Sequence, residues 1–92
     1  MSTWAFMKEV FLTNRTTGAL GPSSERLAEA ITDMASLDDA NTIVEYGPGT
    51  GVFTQAILRK KNADAFFVAL EVNPRFVEAT RQRCPDAKVY ED

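Results

Sequence analysis

The sequence has no histidine, which removes both the commonest general base and the commonest metal ligand. It has one cysteine, Cys84, which rules out an internal disulfide framework and fits a reducing compartment. Cys84 stands between Arg83 and Pro85. A reactive thiol is one reading there, and an incidental thiol at a helix end is the better one. No stretch comes near the ~18 uninterrupted apolar residues that a membrane span needs. The opening run "MSTWAFMKEVFLTN" lacks a basic start, and Lys8 and Glu9 interrupt it, so it does not read as a secretory signal. Positive charge is scarce as well. Ten Lys and Arg stand against 13 Asp and Glu, for a net charge of −3, which is not the basic footprint of a nucleic-acid binder.

What is there looks like an ordinary folded protein. The chain is 45 % hydrophobic and 25 % charged, ordinary for a globular protein, and its 92 residues make one small domain at most, or a piece of a larger one. Residues 3–13 read as a helix, because Trp4, Phe6, Met7, Val10 and Phe11 fall on one arc of the wheel, with Lys8 and Glu9 outside it. "NRTTGALGPSS" (14–24) reads as a loop. A second helix is expected at about 24–35, with Leu27, Ile31 and Met34 at helical spacing and Ser23 or Ser24 as its cap.

Beyond the polar connector "SLDDAN", strands and helices alternate. "TIVEYG" (42–47) is a short strand, about 52–60 a helix, and "AFFVALEV" (65–72) an apolar run suited to a parallel strand covered on both faces. Asn73-Pro74 supplies a cap and a first-turn proline for a helix running to about Arg83, and "KVYED" starts a last strand. The order predicts an α/β fold with a parallel sheet and right-handed crossovers. It divides into an N-terminal helical segment, 1–41, and a half of alternating strands and helices, 42–92.

Between the first strand and its helix lies "VEYGPGTGVF", with glycine at positions 47, 49 and 51. A plain turn needs one glycine, whereas three suggest a ligand that approaches the backbone at a helix start offering unpaired N–H groups. The dinucleotide fingerprint would need a third glycine at position 52, which is valine, so a nicotinamide or flavin enzyme is disfavoured. No lysine or arginine falls between residues 27 and 58, and no Gly-Lys-Ser/Thr follows the loop, so a polyphosphate finds little compensating charge. Glu71, at the carboxyl end of the next strand, stands where such folds place an acid that accepts from ribose hydroxyls.

These residues carry a resemblance. "VEYGPGTGVFTQAIL" followed by "VALEVNPRFVEATRQRCPDAKVYED" resembles the cofactor half of the class I S-adenosylmethionine-dependent methyltransferases. The front segment "FLTNRTTGALGPSS" resembles bacterial phospholipid N-methyltransferase-like proteins, which in turn resemble the RNA adenine dimethyltransferases. The resemblance implies a partial Rossmann-like doubly wound parallel sheet of three strands behind two N-terminal helices, truncated before strand four. It implies that Gly47, Pro48, Gly49, Thr50 and Gly51 line the methionine and ribose of S-adenosylmethionine. By the same resemblance Glu45 sits near the methionine ammonium, directly or through a neighbour. Glu71 holds the ribose hydroxyls, Asp92 reaches the adenine amino group, and Leu20 to Ser23 help close the methionine end. A sulfonium and an ammonium suit a site ringed by carboxylates.

No catalytic residue and no metal ligand is identified. The expected activity is methyl transfer to a phospholipid amine, by a cytoplasmic enzyme or one peripheral to the membrane, with this fragment inactive alone. The alternatives are an RNA adenine N6-methyltransferase and a non-catalytic module that binds a nucleoside cofactor or another subunit. Lacking strand four, "TIVEYG" is expected to present an open apolar edge and to drive homo-oligomerisation.

Overall fold

A computed structural model describes residues 4–6 and 22–92. It contains four parallel strands in the order β1-β2-β3-β4, which is also their order along the chain. The elements are β1 (Trp4–Phe6), α1 (Pro22–Met34), a 3-10 turn (Leu37–Asp39), β2 (Thr42–Tyr46), α2 (Val52–Lys60), β3 (Phe66–Glu71), α3 (Pro74–Arg83) and β4 (Val89–Glu91). The partial Rossmann-like sheet expected from the sequence is present, with its strands at the expected positions.

The strands alternate their side chains between two environments. Ile43 on β2, Phe67 and Ala69 on β3 and Val89 on β4 join a buried cluster with Ala28 of α1, with Val52, Phe53, Ala56 and Ile57 of α2, and with Val77 of α3. All three helices therefore pack on one face. The topology requires this, because a strand order that runs steadily one way with right-handed crossovers puts every crossover on the same side. The described residues thus make one half of a doubly wound sheet.

Local chemistry sets the element ends. The Asn73 side chain accepts from the Arg75 N–H at 2.9 Å and Pro74 occupies the first helical position, so α3 starts where the sequence indicated. Lys60, at the end of α2, ties that helix to α1, donating to the Glu29 carbonyl at 2.8 Å, Thr32 Oγ1 at 2.7 Å and Asp33 Oδ1 at 2.6 Å. Arg59 pairs with Glu29 beside it.

Three expectations are corrected. Residues 4–6 of the expected helix 3–13 form a strand instead, paired in parallel with β2 from Trp4↔Thr42 to Phe6↔Val44, while the rest of that helix lies outside the described residues. The physical reason is that an apolar strand with unpaired backbone groups offers a short Trp-Ala-Phe segment a ladder, and tertiary pairing overrides a local helical pattern. For the same reason the edge expected to be open at 42–47 is paired with β1 over residues 42–44. Helix α1 begins at Pro22, so Ser23 and Ser24 lie inside its first turn and do not cap it.

Candidate functional site

Parallel strands end together, and the glycine loop, Glu71 and Asp92 all lie at the carboxyl ends of β2, β3 and β4. The Gly47 N–H donates to the Leu70 carbonyl at 2.7 Å, so the loop leaves β2 while still attached to β3. The Gly51 N–H then closes a turn onto the Pro48 carbonyl at 3.0 Å. Gly47, Gly49 and Gly51 have φ of 71°, 62° and 90°, a region that costs other L-residues about 1–2 kcal/mol each. Pro48 is buried and Thr50 half-buried within this turn.

Glu71 is 1 % exposed, and each of its carboxylate oxygens is hydrogen-bonded. Oε1 accepts from the Gly49 N–H at 3.1 Å and Oε2 from the Asn73 N–H at 2.9 Å, so one side chain clamps the loop to the entrance of α3. The Asp92 N–H donates to the Glu71 carbonyl at 2.9 Å, while the register partner of Glu71 is Glu91, so exposed Asp92 follows β4 at the carboxyl edge.

Glu45 lies one layer deeper, with no exposed surface. Its Oε1 accepts from Thr54 Oγ1 of α2 at 2.5 Å, and Oε2 has no hydrogen-bond partner among the described residues. Burial pushes its pKa up to about 8; the Thr54 hydroxyl pulls against that rise and nearby Glu71 adds to it. Glu45, expected near the methionine ammonium directly or through a neighbour, thus has no exposed surface. Of the residues Leu20 to Ser23, Pro22 and Ser23 open α1, and Leu20 and Gly21 lie outside the described residues.

Helix α3 supports the loop from below. Thr80 Oγ1 donates to the Gly49 carbonyl at 2.7 Å, and Arg83 Nε donates to the Thr50 carbonyl at 3.0 Å. A β-carbon on Gly51 would lie 3.2 Å from Thr80 Cα and 3.3 Å from Arg83 Cδ, so this glycine admits the helix to the loop. Cys84, which caps α3, is buried beneath the Gly51 carbonyl; burial and the nearby Glu45 push its thiol up, against Arg83. That environment describes an inert thiol.

Sequence reasoning missed Thr54, Thr80 and Arg83. The available signal was a threonine on the apolar face of each helix, Thr54 beside Phe53 and Ile57, and Thr80 one turn after Val77. Arg83 carried no signal, because a helix-end arginine usually faces solvent.

Chemically, the edge offers loop backbone backed by acids, and the basic group that touches the loop, Arg83, is committed to a carbonyl on the helix side. That donor set suits a cationic or hydroxyl-rich ligand better than a phosphate. A separate groove of about 300 Å³ runs between α1 and α2, lined by Glu25, Arg26, Glu29, Val52, Gln55 and Arg59 among others, and charges of both signs rim it.

Known proteins were compared with this geometry in hand. No protein-family model matches the chain. It is 30 % identical over 78 residues to an ornithine lipid N-methyltransferase of Singulisphaera acidiphila, covering 85 % of this chain and 41 % of that protein. It is 32 % identical over 74 residues to a dimethyladenosine transferase of Schizosaccharomyces pombe, covering 80 % of this chain and 23 % of that one. The chain thus spans less than half the length of either relative. In structure it matches DesVI of Streptomyces venezuelae with a TM-score of 0.62 at 20 % identity, over 91 % of this chain and 33 % of that one, which shows a shared fold. By sequence, this chain is a relative of the methyltransferases.

Proposed function

We propose that the carboxyl edge of β2, β3 and β4 is the seat of S-adenosylmethionine, and that the chain is the cofactor-binding part of a methyltransferase. The observation that carries this reading is the Glu71 clamp, in which a buried carboxylate at the end of β3 bonds the middle glycine of a positive-φ loop. A carboxylate oxygen accepts more than one hydrogen bond, so Glu71 keeps capacity for ribose hydroxyls while holding the loop. Gly47 and Gly49 give the ligand its approach, and Gly51 serves the helix beneath. Asp92, exposed just beyond β4, is the acid for the adenine amino group.

The residues fit the cofactor. The bare Oε2 of Glu45 lies behind the loop, and a cation arriving in front of it lowers the cost of ionising that buried carboxyl. When bound, the cofactor supplies a methyl group on sulfonium, whose transfer requires mainly alignment of the acceptor with the carbon–sulfur bond. Among the described residues none is assigned to hold the acceptor, so the chain alone is proposed to bind cofactor without turnover.

The acceptor we favour is a phospholipid amine. The relative named for an ornithine lipid supports a lipid amine as the broader class, and the chain spans a larger share of it than of the other relative. Adenine in RNA is the second reading, supported by the dimethyladenosine transferase. The test is calorimetric titration of the purified chain with S-adenosylhomocysteine, NAD and ATP in parallel. Binding of the first alone, lost in Gly49→Val and weakened at least tenfold in Glu71→Gln, is expected. An equal response to all three ligands would reduce the loop to a generic turn.

A further inference from the structure

Most backbone groups of the glycine loop have partners within the protein. The N–H groups of Gly47, Gly49 and Gly51 donate to the Leu70 carbonyl, to Glu71 Oε1 and to the Pro48 carbonyl, and Pro48 has no N–H to give. The Gly49 carbonyl accepts from Thr80 Oγ1, that of Thr50 from Arg83 Nε, and that of Gly51 from the Gln55 N–H. Thr50 is the residue left over. No described residue accepts from its N–H, and its Oγ1 is buried without a partner among the described residues. Buried polar atoms are seldom left unpaired, so a residue with two idle donors beside the carboxyl edge is placed to meet acceptor atoms of a ligand.

Helix α3 sets the direction of those donors. A trans peptide points its C=O and its N–H to opposite sides. Thr80 Oγ1 donates to the Gly49 carbonyl at 2.7 Å, so the Thr50 N–H of that same peptide is directed away from α3. Arg83 Nε donates to the next carbonyl, that of Thr50, at 3.0 Å, while its Nη1 rests on Gln55 Oε1 at 3.4 Å. The peptides on both sides of Thr50 are thus pinned to one helix.

The use of Thr80 departs from local habit. A helical threonine can spend its hydroxyl on a carbonyl of the preceding turn, as Thr32 of α1 does with Ala28 at 2.6 Å. Thr80 is equally buried, yet it crosses to the loop instead. Gly51 permits the approach, since a β-carbon there would lie 3.2 Å from Thr80 Cα.

We propose that Thr80 and Arg83 are positioning residues, which hold the two peptides flanking Thr50 so that its N–H and hydroxyl face acceptor atoms of the ligand. The inference rests on the reading of the carboxyl edge as a cofactor seat, and it names residues that set the affinity of that seat. Both residues act through the loop backbone. Because the loop is held in shape before the ligand arrives, less ordering is required on binding.

The experiment titrates S-adenosylhomocysteine calorimetrically into the wild-type chain, Thr80→Val, Thr80→Ser and Arg83→Met. Circular dichroism checks folding, and NMR of the labelled chains follows the Thr50 amide without ligand. Thr80→Val keeps the shape of the side chain and removes the donor, and it is expected to weaken binding about tenfold and to move the Thr50 amide. Thr80→Ser keeps the hydroxyl and should restore both to near their wild-type values. Arg83→Met keeps the apolar stem at an exposed helix position and should weaken binding about threefold. A folded Thr80→Val that binds as the wild type does, or a Thr80→Ser as weak as Thr80→Val, would overturn the proposal and leave the cofactor reading standing. Wild-type affinity in Arg83→Met would strike Arg83 from it, and would overturn the whole should Thr80→Val fail to fold. A wild-type chain that binds no S-adenosylhomocysteine would overturn both readings together.

Discussion

Glu45 holds a carboxyl group where water cannot reach it, with one oxygen bonded to Thr54 and the other bare. In the unfolded chain it titrates near 4.5, and in the folded protein at about 8, so between these values the folded state binds more protons. The stability this protonation confers is therefore complete below about pH 4.5 and lost as pH rises through about 8, at up to ~1.4 kcal/mol per pH unit. Thermal melts across pH 5 to 8 should show the melting temperature falling, and Glu45→Gln should flatten the slope. An unchanged slope in that variant would assign the effect to other groups. Gly51 yields a second expectation at this scale. Gly51→Ala combines a positive φ with a β-carbon 3.2 Å from Thr80 Cα, and urea titration should show a loss of about 1–3 kcal/mol. Glu71 and the loop glycines were legible because they sit at fixed offsets from a strand. Thr80 and Arg83 were not, because they reach Gly49 and Thr50 across 31 and 33 residues of chain.

Among the elements, α2 and α3 matched their sequence signals because those signals are local: glycine before α2, and Asn73-Pro74 before α3. Strand β1 defeats that logic. Trp4, Ala5 and Phe6 fit a helical wheel, and only the presence of β2 alongside makes them a strand. The connector before β2 hides another nonlocal feature. Ser36 takes φ 53° ahead of the 3-10 turn and makes no side-chain capping bond. Ser36→Gly relieves that backbone cost and should raise stability by about 1 kcal/mol in chemical denaturation, with cofactor binding unchanged. A neutral or destabilising result would mean that the unfolded-state entropy of the added glycine outweighs the relief.

For the molecule as a whole, one topological fact sets both where the described helices lie and where the site lies. Strands that advance steadily in one direction gather every helix on one side, while their carboxyl ends align along one edge. The first consequence places Tyr46, Phe66 and Tyr90, all exposed, on the face away from the described helices, and the second collects Glu45, the glycine loop, Glu71 and Asp92. The alternation of strands and helices made the parallel sheet legible from the sequence. The one-sided winding was not, because it depends on where β1 inserts. The central claim is that this edge seats a cationic nucleoside, and its most direct measurement is amide NMR of the labelled chain during titration with S-adenosylmethionine. The account expects saturable shifts concentrated at the amides of Gly47, Gly49, Asn73 and Asp92, with Phe66 and Lys60 unmoved. Shifts confined to the groove between α1 and α2, or none at millimolar ligand, would contradict it.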